Sequence, residues 1–188
     1  MMLVEMKLNL IQASNIFKMN LKNPLSWLSL GFGSGLSPYA PGTMGSILAL
    51  FIYYLVFYDL PSSWINSLFF LIFIISSFFI GLFIYPRTVE VENDPGSFVW
   101  DEFVGMWIAC LPLSFMGNSM IWLFISFLLF RLFDIQKPFG IGSFDQKHGA
   151  FYVMIDDVLA GVYAAISVIY CMNRPKKLPT VLSLNRQI

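Results

Sequence analysis

Five apolar runs separated by polar breaks organise this chain: Met44 to Tyr58, Trp64 to Ile84, Phe98 to Leu113, Ser119 to Phe133 and Phe151 to Cys171. A helix crossing a ~30 Å hydrocarbon core needs about 20 residues. The second run meets that length and the first falls short. Asp59-Leu60-Pro61-Ser62-Ser63 separates these two. Tyr85 to Gly96 is polar, with Arg87, Glu90, Glu92 and Asp94, and so is Asp134 to Ala150, with Lys137, Pro138, Asp145, Lys147 and His148. The pattern predicts an all-α fold, a polytopic membrane helical bundle with four or five membrane segments. Residues 1–30 read as an amphipathic or disordered lead, 31–171 as the membrane-embedded domain and 172–188 as a basic tail.

Composition agrees. Of 188 residues, 57% are hydrophobic and 12% charged, where soluble domains carry about 25% charged residues. The net charge is zero, so the chain has no electrostatic footprint for a nucleic acid. A single histidine excludes a zinc cage of several histidines. Cys110 and Cys171 lie inside apolar runs, without metal-ligand spacing and without a disulfide framework. The first residues lack a long apolar core and a small-residue cleavage site, so no signal peptide is expected.

Against this background, two acidic pairs stand out: Asp101-Glu102 in FVWDEFVGMWIACLPL and Asp156-Asp157 in FYVMIDDVLAGVYAAI. A charge inside hydrocarbon costs at least ~2.5–3.5 kcal/mol on the most lenient scale. Adjacent acids also repel one another, so a cation is expected between them. Hard oxygen ligands suit Mg²⁺, which takes one or two carboxylates together with substrate phosphate oxygens. Neighbouring helical residues point about 100° apart. One member of each pair can therefore face a shared site while the other braces it. Gly105 and Gly161 follow their acids by about one turn, where small residues let helices approach. The plainer alternative is four acids at wet helix starts, favoured there by the helix dipole.

If the amino terminus is cytoplasmic, all the polar clusters fall on one membrane face. Lys7, Lys18, Lys22, Lys137 and Lys147 then obey the positive-inside rule. Arg174, Lys176, Lys177 and Arg186 in the tail do not, if five runs cross fully.

Further candidates surround the acids. Arg131 and Asp134 in FRLFDIQKPFG share a helix face by their i,i+3 spacing. Arg131 is suited to clamp a phosphate, Asp134 to join a metal or orient the arginine, and Lys137 follows one turn later. An interfacial salt bridge with a snorkelling arginine is the alternative. The stretch GFGSGLSPYAPGT exposes backbone N–H groups at Gly33, Gly35 and Gly42, and Thr43 is placed to cap the first apolar helix. A helix amino terminus beside such a loop attracts phosphate, although the same residues make a plain turn. His148, eight residues before Asp156, is either solvated or a proton donor to a leaving alkoxide. Asp94 and Asp145 are loop acids of the same standing. No cysteine-phosphatase loop, Asp-x-Asp-x-Thr segment or Gly-x-Ser-x-Gly elbow is present. Carboxylates, a metal and an activated water remain.

The blocks GFGSGLSPYAPGTMGS, VWDEFVGMWI, FRLFDIQKPFGIGSFD and HGAFYVMIDDVLAGVYAA occur in that order between about Leu30 and Tyr170. Together they resemble bacterial phosphatidylglycerophosphatase A. The resemblance implies a small integral enzyme of the bacterial inner membrane that removes the terminal phosphate of phosphatidylglycerophosphate and requires Mg²⁺. It carries over Thr43, Asp101, Glu102, Arg131, Asp134, Lys137, His148, Asp156 and Asp157. The stretch Asp145-Gln146-Lys147-His148 is shorter and less basic than the family pattern.

From the residues themselves, Asp101, Glu102, Asp156 and Asp157 are expected to hold the metal. Asp134 and His148 join them in catalysis, and Thr43, Arg131 and Lys137 bind the substrate. The expected setting is a multi-pass protein in the bacterial inner (plasma) membrane, its active site facing the cytoplasm and its substrate a bilayer phospholipid. An ion transporter using intramembrane carboxylates is the rival reading, and a structural membrane component a second one.

Overall fold

The structure, a computed structural model, describes residues 22–89, 96–138 and 149–174, and those residues are helical with no strand. A short helix α1 (Pro24–Ser29) opens it, and the Asn23 side chain caps α1 by accepting from the Leu25 N–H at 3.0 Å. A tight 3₁₀ segment, Gly31–Leu36, follows. Five longer helices come next: α2 (Pro41–Phe57), α3 (Trp64–Thr88), α4 (Trp100–Met116), α5 (Met120–Gln136) and α6 (Ala150–Met172). They correspond in order to the five apolar runs. Among them, α3 and α6 are long and apolar enough to cross a membrane, while α2 is apolar but shorter. Phe69, Ile72, Phe79 and Phe83 of α3 are each more than half exposed. An apolar surface of that kind suits lipid better than water.

The five helices alternate in direction. α2, α4 and α6 begin at one end of the bundle, where α3 and α5 finish. α4 is central and packs against the other four. Phe103, Val104, Met106, Trp107, Ala109, Cys110 and Leu113 on α4 are all buried. Two indoles tie it to its neighbours: Trp107 Nε1 donates to the Ala49 carbonyl of α2 and Trp100 Nε1 to the Ser77 carbonyl of α3, each at 2.9 Å. A buried indole N–H needs such a partner. At the far end, Tyr53 Oη donates to Asn118 Oδ1 at 2.7 Å, and Asn118 Nδ2 donates to the Tyr58 carbonyl at 2.7 Å. The α4–α5 turn is thereby pinned to the end of α2.

The glycine-rich segment differs from the phosphate loop considered from sequence. Gly31, Phe32 and Gly33 all have positive φ (50°, 54° and 100°), so the chain reverses sharply. The N–H groups of Gly33 and Gly35 both donate to the Leu30 carbonyl, at 3.0 and 2.9 Å, and are used internally. A Cβ on Gly35 would collide with the Ser97 carbonyl, and one on Gly45 would lie 2.9 Å from Val99 Cβ. These glycines let the segment press onto the residues that lead into α4, where Val99 N–H donates to the Ser29 carbonyl at 2.9 Å. The last residues of the amino-terminal lead are part of this arrangement, since Ser29 Oγ lies 2.6 Å from Thr88 Oγ1 at the end of α3.

Candidate active site

The start of α4 brings Asp101 and Glu102 to the common end, and α6 brings Asp157 to the same point. One carboxylate oxygen from each of the three lies within 4.8 Å of the others. The helix crossing explains how. A Cβ on Gly105 of α4 would come 2.7 Å from the Asp157 carbonyl oxygen, and one on Gly161 of α6 would meet the Gly105 carbonyl. With no side chain at either position, the two backbones touch. Asp101 precedes Gly105 by four residues, and Asp157 precedes Gly161 by four. Two parallel helices in contact at their glycines therefore hold those acids side by side one turn away.

α5 supplies the rest. Arg131 Nη1 pairs with Asp134 Oδ2 at 2.6 Å, the i,i+3 contact expected from sequence. The same Nη1 reaches across to Ser46 Oγ on α2 at 3.3 Å. Lys137 ends α5 in a left-handed conformation (φ 44°) and pairs with Asp156 Oδ2 at 2.8 Å. Asp156 also accepts from the Asp157 N–H at 3.1 Å. The two members of that acidic pair thus diverge. Asp157 joins Asp101 and Glu102, whereas Asp156 braces the end of α5.

Five carboxyl groups meet two cations, Arg131 and Lys137, in this region. Like charges 4.8 Å apart repel by about 3.5 kcal/mol per pair at an effective dielectric near 20. Glu102 Oε2 and Asp157 Oδ2 are buried and have no hydrogen-bond donor among the described residues. A cluster of hard oxygen atoms with two such orphans fits a divalent cation of the Mg²⁺ class. Arg131 Nε is likewise buried without an acceptor among the described residues, which suits an anion.

Thr43 does not cap the first long helix. The N-cap is Ala40, whose side chain makes no capping bond, and Thr43 lies half-buried inside the first turn. Pro41 sets the start, as proline does at that position. Gly42 matters more directly: a Cβ there would collide with Glu102 Oε1 and lie 3.5 Å from Arg131 Nη1. The start of α2 is therefore packed onto the site. Sequence reasoning missed Ser46, which accepts from Arg131 and donates to the Gly42 carbonyl at 2.8 Å. Its signal was the small-residue stripe Gly42, Gly45, Ser46 and Ala49 along one face of α2. His148, Asp94 and Asp145 lie outside the described residues.

The family model described as Phosphatidylglycerophosphatase A matches residues 27–172. A phosphatidylglycerophosphatase A of Escherichia coli K12 is 41% identical over 151 residues, covering 79% of this chain and 83% of its own. One of Haemophilus influenzae is 42% identical over 154 residues, covering 80% of this chain and 90% of its own. A protein of Bacteroides thetaiotaomicron, whose name provisionally assigns it a phosphatidylinositol-3-phosphatase activity, is 37% identical over 145 residues (75% and 89% of the two chains). No solved structure matches.

Proposed function

The chain belongs to the phosphatidylglycerophosphatase A family, and from that premise we propose that it hydrolyses the terminal phosphate monoester of phosphatidylglycerophosphate, yielding phosphatidylglycerol and inorganic phosphate. The observation that carries the reading is the trio Asp101, Glu102 and Asp157, with ligand atoms within 4.8 Å, beside Arg131. Asp101, Glu102 and Asp157 would hold Mg²⁺, and Asp134, paired with Arg131, would support them from α5. Bound there, the ion supplies positive charge to the phosphoryl oxygens.

The chain's own groups account for the remaining demands of phosphoryl transfer, which are mainly positioning and charge neutralisation. Arg131 is held by Asp134 and Ser46 and keeps Nε available to a phosphoryl oxygen. Lys137 is steadied by Asp156 at 2.8 Å and adds positive charge at the rim. A carboxylate of the cluster takes a proton from the attacking water as its oxygen bonds to phosphorus. The bond from phosphorus to the glycerol oxygen breaks, and that oxygen receives a proton, for which His148 is one donor the sequence offers. Thr43, in the first turn of α2 next to Gly42, would contact the substrate phosphate. The amino termini of α2, α4 and α6 all point to this end, and their dipoles favour an anion there.

The setting that suits this chemistry is a multi-pass protein of the bacterial inner membrane with the site end facing the cytoplasm. The apolar exteriors of α3 and α6 support the membrane part of this setting. An ion-transport role draws no support. The Asp101/Gly105 and Asp157/Gly161 echo relates two parallel helices, whereas transporter folds commonly repeat in inverted orientation. Purified protein in detergent, given phosphatidylglycerophosphate, phosphatidate or phosphatidylinositol-3-phosphate with Mg²⁺ or with EDTA, tests the reading. Phosphate release from the first lipid, dependent on Mg²⁺, is expected. No release from any of them would overturn it.

A further inference from the structure

An apolar groove of about 300 Å³ runs between α2 and α5. Ile47, Phe51 and Tyr54 line it from α2, and Met120, Leu123 and Phe124 from α5. These positions recur at helical spacing, so each set forms one helix face. One turn before Ile47, the α2 face reaches Thr43. Two turns beyond Leu123, the α5 face reaches Arg131. Both helices therefore lead from the groove toward the site, one turn on along α2 and about two turns on along α5, and the Arg131–Ser46 hydrogen bond joins them there. Taking the headgroup site as read above, we propose that this groove holds an acyl chain of the lipid substrate while Thr43 and Arg131 receive its phosphate.

Three observations carry the assignment. The polar end offers charge complementarity, because Arg131 Nε is buried there without an acceptor among the described residues. Length also fits: Thr43 to Tyr54 spans eleven residues, about 16 Å of helix axis, close to half of a ~30 Å hydrocarbon core. Finally, position singles the groove out. A larger one of about 500 Å³, lined by Trp64, Leu68, Leu71, Leu111 and Phe115, lies where α3 begins and α4 ends. It is at the opposite end of the bundle, its α4 wall begins nine residues beyond Glu102, and its α3 wall carries no residue of the site.

Photo-crosslinking of the full chain decides the matter. Phosphatidylglycerophosphate carrying a mid-chain diazirine is irradiated with the protein, and the adducts are mapped by mass spectrometry. At least fivefold more adduct is expected on residues 47–54 and 120–124 than on 64–71 and 111–115. Unlabelled phosphatidylglycerophosphate should abolish the excess, and labelled phosphatidylglycerol, lacking the terminal phosphate, should not produce it. Equal labelling of both grooves, or an excess that resists competition, would overturn the proposal. Phosphate release by the same preparation separates the two readings. Release without the excess sinks the groove alone, whereas a competable excess without release keeps the groove as a lipid-monophosphate site and sinks the hydrolysis. Ile47→Trp, at a side chain 44% exposed, should also lower the ratio of long-chain to short-chain kcat/KM about tenfold. Leu71→Trp in the other groove should leave that ratio unchanged. A ratio unmoved by Ile47→Trp would count against the groove.

Discussion

Helices α3 and α4 invert what a water-soluble protein would do with the same residues. α3 has 25 residues, and its apolar core from Phe69 to Ile84 is broken only by two serines and a glycine, yet most of its large side chains face outwards. α4 has 17 residues, begins with two acids, and is buried along most of its length. Lipid solvates phenylalanine and isoleucine as well as a protein interior does, so burying them gains little. What the bundle gains by burial is close packing of small residues and shelter for polar ones. The more hydrophobic helix is the periphery, and the charged one is the axis.

The largest effect should come from removing that axis's chemistry. Asp101→Asn keeps shape and size but takes a ligand from the carboxylate trio. Even outer groups around a metal site cost 10–100-fold when lost, so phosphate release should fall at least about a hundredfold while the variant still inserts and elutes as the parent does. Near-normal turnover would remove Asp101 from the site. On α3, Phe79→Ala, at a side chain 63% exposed, should leave turnover within about twofold, as surface changes usually do.

Next in size is the α4–α6 contact. Gly161→Ala places a methyl against the Gly105 carbonyl with no flexible side chain to yield. Overpacking of this kind costs about 1–3 kcal/mol. A lower thermal midpoint in detergent is expected, together with weaker Mg²⁺ dependence, because separating the helices separates Asp101 from Asp157. A variant as stable and as active as the parent would show that the close crossing is not what holds the acids together. Ala165→Gly, one turn beyond Gly161 on α6 at a half-buried position, should cost no more than about 1 kcal/mol, the helix-propensity difference alone.

How far these regions could be read beforehand follows from the same contrast. Run boundaries fell within a few residues of the helix ends, because a change from apolar to polar residues marks where a packed helix gives way to a connection. The glycine spacing after each acidic pair also anticipated the α4–α6 contact. What escaped was the side-to-side arrangement. Nothing in IDD says which aspartate turns inward. That depends on the rotation of α6, which the Gly161 crossing fixes in three dimensions. α1 escaped too, since Pro24–Ser29 is short and is held by tertiary contacts such as Ser29 with Thr88. Thr43 drew attention as a capping residue type, yet Pro41 had already set the helix start two residues earlier.

Arg131 tests whether the α5 contribution is a charge or a shape. Lysine keeps the charge but lacks the planar guanidinium, whose Nη1 holds Asp134 and Ser46 while Nε stays available for a phosphoryl oxygen. Arg131→Lys should therefore lower kcat/KM by about ten- to a hundredfold, equivalent to about 1.4–2.8 kcal/mol. Activity close to the parent's would mean that a point charge suffices there and that the fork is incidental.

The smallest expected effect isolates the joint between α2 and the site. Ser46 is buried and accepts from Arg131 at 3.3 Å while donating to the Gly42 carbonyl at 2.8 Å. Ser46→Ala removes both bonds and little volume, and one such bond contributes about 0.5–1.5 kcal/mol net. Arg131 keeps Asp134 at 2.6 Å, so its charge stays in place and kcat should change less than twofold. What loosens is the distance between α5 and the start of α2, the end proposed to receive the headgroup. KM for the lipid should therefore rise about two- to tenfold, leaving the Mg²⁺ concentration dependence as in the parent. If kcat fell and KM held, Ser46 would be aligning Arg131 for the chemical step, and the separation drawn between a reactive α4–α6 centre and a substrate-gripping α2–α5 wall would fail at the residue that joins them.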